Sequence, residues 1–180
     1  MRTRREIEGR VEELLAKHSV TGPAVDVEAL AISEGLPVIE HPFPGDVSGA
    51  LIRSEVGSAI AVNGSQHVNR IRFTIAHELA HFLLEHTGDN EDHVDWDFSI
   101  IRRDTRSSTA SDVREIEANM FAANVLMPRS FLDKDIALLV GADGKVQLPE
   151  ERTKILAARY RVSETAMSFR LINLGYKPPY

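Results

Sequence analysis

Apolar residues recur at helical spacing near the start of the chain: Ile7, Val11, Leu14 and Leu15, with charged residues between them. This pattern predicts an amphipathic helix over residues 4–18, ending near Ser19. It returns between Val25 and Gly35, where Asp26 is placed as N-cap, Val27, Leu30 and Ala31 supply the apolar side with Glu34 following, and Gly35 closes the segment. The stretch LPVIEHPFP then reads as a short strand ended by prolines. Residues 48–54 (SGALIRS) and 58–64 (SAIAVNG) read as two strands of a hairpin around Glu55–Gly57, with Asn63-Gly64 as a turn. From Asn69 the helical period resumes and runs to about His86. Residues 87–111 are polar and acidic, then rich in Ser, Thr and Arg, and predict a long mobile loop; loops of this length in compact domains are functional or disordered. Further helices are predicted over residues 112–126 (stopped before Pro128), 130–140, 149–160 and 164–174. GADGK (141–145) reads as a turn, and Arg161-Val162-Ser163 joins the last two helices. There is no internal repeat.

Several helices and one hairpin predict the α+β class with a small antiparallel sheet. A chain of 180 residues suits a single domain, here residues 1–180, with residues 150–176 as a helical C-terminal part of helix-turn-helix-like pattern. The net charge of −6 argues against a uniformly basic nucleic-acid binder. No cysteine is present, which removes disulfides, thiolate metal sites and cysteine nucleophiles, so any metal must use His and carboxylate. The N-terminus lacks the apolar core of a signal peptide and no apolar run reaches membrane-span length, so a soluble cytoplasmic protein is expected.

One segment does not fit a plain core helix. TIAHELAHFLLEH, Thr74 to His86, places three histidines and two glutamates inside an apolar run. His77-Glu78-Leu79-Ala80-His81 is HExxH. On a helix, residues four apart are offset by about 40° and stand one above the other, so two imidazoles can share one ion. Zinc suits such nitrogen ligands. Glu78 then falls beside the open coordination position, where it can take a proton from water. A solvent-facing HExxH is the bland alternative, but Ile71, Ile75, Ala76, Leu79, Phe82 and Leu83 surround the helix with apolar side chains. Burying His and Glu there without a partner costs several kcal/mol. His86 lies about 180° from His77 on a continuous helix and cannot reach the same ion. The longer metzincin pattern fails as well: position 84 is Leu and position 87 is Thr. His86 reads instead as a cation suited to the helix end.

A third ligand must come from elsewhere. In DVREIEANMFAANVLMP (112–128), Val113, Ile116, Met120, Phe121, Asn124 and Met127 form one broad face with Glu117 inside it. Asp112-x-x-Glu115 reads as a capping box, which gives Glu115 its own explanation. Glu117 is therefore the preferred third ligand, completing a His2Glu site with water in the fourth position, and removing its carboxylate should sharply weaken metal binding. A structural salt bridge is the alternative for Glu117, and Asp92, His93, Asp95 and Asp97 rank below it as ligands.

The pairing of RIRFTIAHELAHFLLEH with EIEANMFAANVLMP resembles the ImmA/IrrE metallopeptidases, and the likeness runs from about residue 5 to 175. The resemblance implies a zincin-like domain of gluzincin type, with a zinc ion held by His77, His81 and Glu117 and with Glu78 as general base and acid. Manganese is an alternative metal. It also implies a substrate class, since relatives cleave helix-turn-helix repressors of the XRE type and so relieve transcriptional repression. The C-terminal sensor domain of larger relatives is not expected here. A second electrophile is expected in such a site, and His67, His93 and Tyr160 are the available residues. The hairpin offers an edge for an extended peptide. The acidic segment 89–97, with Trp96, is a candidate cover or basic-substrate selector, or simply a solvated loop.

Three rival readings remain. Arg159, Arg161, Arg170 and Lys177 lend the C-terminal helix pair some positive charge, which suits a DNA-binding regulator, but Glu164 opens the would-be recognition helix. A protein that sequesters a repressor or antitoxin with a structural zinc site would not need Glu78. A toxin of a toxin–antitoxin pair is the third.

Overall fold

The computed structural model describes residues 1–45, 47–86, 109–138 and 150–176, the side chains of 109–112 excepted. Helix α1 (Arg4–Lys17) buries Ile7, Val11, Leu14 and Leu15, the face its periodicity predicts. Thr3 caps it in a reciprocal box: the Thr3 hydroxyl accepts from the Glu6 N–H and the Glu6 carboxylate accepts from the Thr3 N–H at 2.6 Å. Helix α2 (Val27–Ser33) is capped by Asp26, which accepts from the Ala29 N–H at 3.1 Å.

Strands β1 (Val38–Glu40), β2 (Gly49–Ser54) and β3 (Gly57–Val62) form one sheet in the order β1-β3-β2. The β2–β3 hairpin is antiparallel as expected, but β1 joins β3 in parallel, so the sheet is mixed: α2 precedes β1 and the hairpin follows it, and β1 runs in the direction of β3. The Ile60 N–H donates across to Pro37 on the β1 side, whereas the Asn63 N–H donates to Ser48 on the β2 side. Residues of β3 therefore alternate between partners, and Leu51, which stands opposite Ile60, turns its own backbone groups away from β3. The outer edge of β2 thus presents Gly49, Leu51 and Arg53.

Helix α3 (Val68–Leu83) packs on β2 and β3, and on α2 and α4. It is buried without a break from Thr74 to His81. It stops three residues short of the expected end. Glu85 takes a left-handed conformation (φ 55°), and the Glu85 and His86 N–H groups donate back to Phe82 and His81. This is a Schellman ending, and it reverses the chain at once.

Helix α4 (Thr109–Leu126) starts three residues before Asp112, so Asp112 lies inside the helix and does not cap it. It packs on α3 and α1. Helix α5 (Arg129–Ala137) follows Pro128, and α6 (Glu150–Tyr160) packs on α7 (Glu164–Asn173). Ser163 caps α7 by accepting from the Ala166 N–H at 3.1 Å. Two of the C-terminal arginines are engaged internally. Arg159 pairs with Asp135 at 2.7 Å, and Arg170, 5% exposed, donates to Asn124 Oδ1 at 2.7 Å and to the Met127 carbonyl. Lys177 and the segments 87–108 and 139–149 lie outside the described residues. Among the described residues, no helix is long and apolar enough to cross a membrane.

Gly49 marks the tightest approach of β2 to its neighbours. A Cβ there would stand 2.5 Å from the Ala61 carbonyl oxygen and 2.5 Å from the Thr74 methyl. Only a bare Cα lets the strand and α3 come this close. Gly49→Ala should therefore cost about 1–3 kcal/mol, as overpacking does, read as a lowered urea midpoint at unchanged slope.

Candidate metal centre

The apolar side chains of α3 fix its rotation. Ile75, Ala76, Leu79 and Ala80 are all at most 3% exposed and lie in the core. Docking them leaves His77 and His81, one turn apart, against α4, with their Nε2 atoms 3.1 Å from each other.

From α4, Glu115 meets both rings. Its Oε2 lies 3.3 Å from His77 Nε2 and its Oε1 lies 3.2 Å from His81 Nε2. Among the described residues these three form the group able to hold a metal ion. An ion with tetrahedral ligands at ~2.0–2.1 Å spaces those ligands about 3.3 Å apart. The three observed separations match that spacing. The outer nitrogen of His77 supports the same reading: Asn119 Oδ1 is 3.1 Å from His77 Nδ1 and accepts its proton, which leaves Nε2 as a bare lone pair facing the site. The residues present therefore fit a divalent cation with nitrogen and oxygen ligands.

The electrostatics agree with the geometry. The imidazoles beside it, His77 first and then His81, hold the Glu115 carboxyl well below the usual carboxylate range, so it is ionised and ready to ligate. Burial pushes the Glu78 carboxyl up, while the two histidines pull it partly back. Glu78 is 8% exposed and faces the Leu51 N–H on the outer edge of β2. The cleft above the site is walled by Val47, Ser48 and Gly49 on one side and by Arg70, Phe73 and Thr74 on the other.

This arrangement differs from the expected one in the third member of the group. The structure brings together His77, His81 and Glu115, and it does not bring Glu117 to them. Glu117 is indeed a buried carboxylate that needs a partner, but the partner is Arg2 at 2.7 Å, with His86 Nε2 at 3.2 Å on the same oxygen. Burial opposes its charge, yet the backbone and guanidinium N–H groups of Arg2 outweigh that and bring the carboxyl down to about 2. The physical reason for the swap is helical phase. Residues 115 and 117 are about 200° apart, so only one of them can face α3's histidines. Glu115 passes for a capping residue in the sequence, but the helix begins too early for that role. A signal was available: Glu115 and Asn119 are four apart, so the ligand and the residue that orients His77 share one face.

Two candidates for a second electrophile are accounted for otherwise. His67 is the N-cap of α3, its Nδ1 accepting from the Asn69 N–H. Tyr160 is fully buried and its hydroxyl donates to Asp135 at 2.9 Å. His93, with Asp92, Asp95, Trp96 and Asp97, lies outside the described residues. Arg70 stands at the cleft wall with its guanidinium on Ser48 Oγ, and no motif marks it in the sequence.

Comparison with known proteins bears on the same residues. The family model described as the IrrE N-terminal-like domain, a peptidase family, matches residues 33–172, which include every residue of the group. No curated protein matches the sequence. The solved structure of a Mycobacterium tuberculosis transcriptional regulator shares the fold, with TM-score 0.62 and 18% identity. The match covers 93% of this chain and 46% of that one, so this chain spans about half the length of that protein.

Replacing Glu115 by Ala should remove stoichiometric metal, measured by elemental analysis after gel filtration. Full occupancy in Glu115→Ala protein would place the third ligand elsewhere.

Proposed function

We propose that this chain, which belongs to the peptidase family of the IrrE N-terminal-like domain, is a zinc-dependent endopeptidase with His77, His81 and Glu115 as metal ligands and Glu78 as general base. One observation carries the reading: two imidazole nitrogens and a carboxylate converge at 3.1–3.3 Å on the floor of an open cleft, with a fourth ionisable group, Glu78, buried beside them. Three protein ligands leave a coordination position open, which is the arrangement of catalytic rather than structural zinc sites. Manganese remains the alternative metal, since ligand type alone does not decide between them in a cell.

The bound ion supplies Lewis-acid polarisation of a carbonyl and lowers the pKa of water toward ~7. The protein supplies the rest. The Glu78 carboxyl, raised by burial yet next to two imidazoles, accepts the proton of the attacking water and holds it for the departing amine. The outer edge of β2 supports an extended substrate: the outward-facing backbone groups of Gly49 and Arg53 and the Leu51 carbonyl form half of a strand ladder, the Leu51 N–H being held by Glu78. Bare Gly49 keeps that wall flat where the peptide would lie. Arg70 stands at the same wall and is the available cation for a substrate carboxylate or carbonyl.

The substrate class follows from the resemblance to the ImmA/IrrE group. We take it to be a helix-turn-helix repressor of the XRE type, whose cleavage would relieve repression. The mycobacterial protein of the same fold is described as a transcriptional regulator, and a peptidase whose target is a repressor would regulate transcription by that route. The α6–α7 pair keeps Arg159 and Arg170 for internal bonds, which favours packing over DNA contact.

Glu78→Gln should keep metal at the wild-type level and lose about 10²–10⁴-fold in hydrolysis of an XRE-type repressor. The measurement pairs elemental analysis with a timed cleavage gel. Equal metal with no cleavage by wild type, but a stable complex from both proteins, would replace the peptidase with a repressor- or antitoxin-sequestering protein.

A further inference from the structure

His86 is not a ligand, yet the Schellman turn at Glu85 folds it back under α3. Its Nδ1 lies 3.2 Å from His81 Nδ1, and its Nε2 lies 3.2 Å from Glu117 Oε2. His86 is 6% exposed and Glu117 is 3% exposed, so neither meets solvent freely. Glu117 is in turn held by the segment before α1. The Arg2 backbone N–H donates to Oε1, and the Arg2 guanidinium donates to Oε2 at 2.7 Å and to the Leu84 carbonyl at 2.9 Å.

The protons along this chain can be placed. Glu117 is a carboxylate and only accepts, so His86 must donate through Nε2–H. A neutral His86 then has a lone pair at Nδ1, so His81 donates through Nδ1–H. His81 Nε2 is left as a lone pair directed at His77 and Glu115. The order of bonds from Arg2 inward thus fixes which nitrogen of His81 is free to ligate.

We propose that His86, Glu117 and Arg2 are positioning residues for the metal centre, acting through His81, so that the segment preceding α1 sets the affinity of the site for its ion. The inference rests on the metal-site reading above. It replaces direct ligation by Glu117 with action two residues removed. Outer partners of ligating histidines fix tautomer and ring orientation, and their loss costs about 10–100-fold in metal affinity. Here the outer partner is itself a histidine. That extends the support by one link and ties it to an N-terminal arm.

The test uses the full chain and zinc alone as probe. Zinc affinity is measured by competition with a chromophoric chelator for wild type, His86→Ala, Glu117→Ala, Glu117→Gln and Arg2→Ala. The expected loss is about 10–100-fold for His86→Ala and for Glu117→Ala. The pair combined should lose little more than either alone, because both break one chain. Glu117→Gln keeps an acceptor oxygen and should recover part of the loss, and Arg2→Ala should weaken binding in the same direction. A ligand, by contrast, would abolish binding when removed. Nitrogen-15 NMR of the imidazoles in metal-free protein gives a second readout, independent of metal. His81 should carry its proton on Nδ1 in wild type and lose that preference in His86→Ala. Should Glu117→Ala not fold, His86→Ala and Glu117→Gln decide the matter. Folded variants with wild-type zinc affinity and an unchanged His81 tautomer would overturn the proposal. A wild type that binds no zinc would instead defeat the metal-site reading, and the NMR result would still decide whether the chain of bonds sets the tautomer.

Discussion

The contact between α3 and α4 is only partly apolar, and the rest of the molecule is arranged around that fact. Leu79, Ala80, Phe121 and Ala122 give it an apolar core, but three histidines (His77, His81 and His86) and the Glu117 carboxylate are buried there too, with Glu115 partly buried beside them. Burying such groups costs several kcal/mol unless each finds a partner. Here each one does, and the partners fall into two layers. The inner layer is His77, His81 and Glu115, open to the cleft. The outer layer is Asn119 on one imidazole and His86 with Glu117 on the other. Helical phase separates them: Glu115 and Glu117 leave α4 on opposite sides, so one faces His77 and His81 and the other faces His86 and Arg2.

The sheet contributes to the site mainly through an edge. The order β1-β3-β2 leaves β2 outermost, and the alternation of β3's hydrogen bonds turns Leu51 toward Glu78. Gly49 then lets the strand approach α3 closely enough to form one wall of the cleft. A buried carboxylate, two imidazoles and the outermost strand edge are thus brought together by two elements adjacent in sequence, the hairpin and the helix after it.

Much of this is readable from residue order. The period of α1, the Asp26 cap and the two strands of the hairpin are local, and local chemistry determines them. HExxH is likewise local, because both histidines lie on one helix. The third ligand is not readable in the same way, since it depends on the rotation of α4 against α3, which is set by packing between distant segments. The expectation of Glu117 lacks one fact. Glu117 is buried among apolar side chains and does need a partner, but that partner, Arg2, is 115 residues away. The end of α3 misleads in a different manner. Projection on a continuous helix sends His86 away from the ion, correctly, but a non-glycine left-handed residue at Glu85 is a poor sequence signal, and it is the turn there that returns the ring to His81.

The exposed edge of β2 has a further consequence. An edge that recruits a peptide will equally recruit another sheet, so a protein that depends on one cannot close it off with a covering strand or a proline. The protection must come from brevity and charge. β2 is only six residues long and turns immediately at Ser54–Gly57. Arg53 adds a cation at its end, with the guanidinium held on the His81 carbonyl at 3.3 Å. The same arginine that bonds to the last turn of α3 is therefore the charge at the end of the exposed edge.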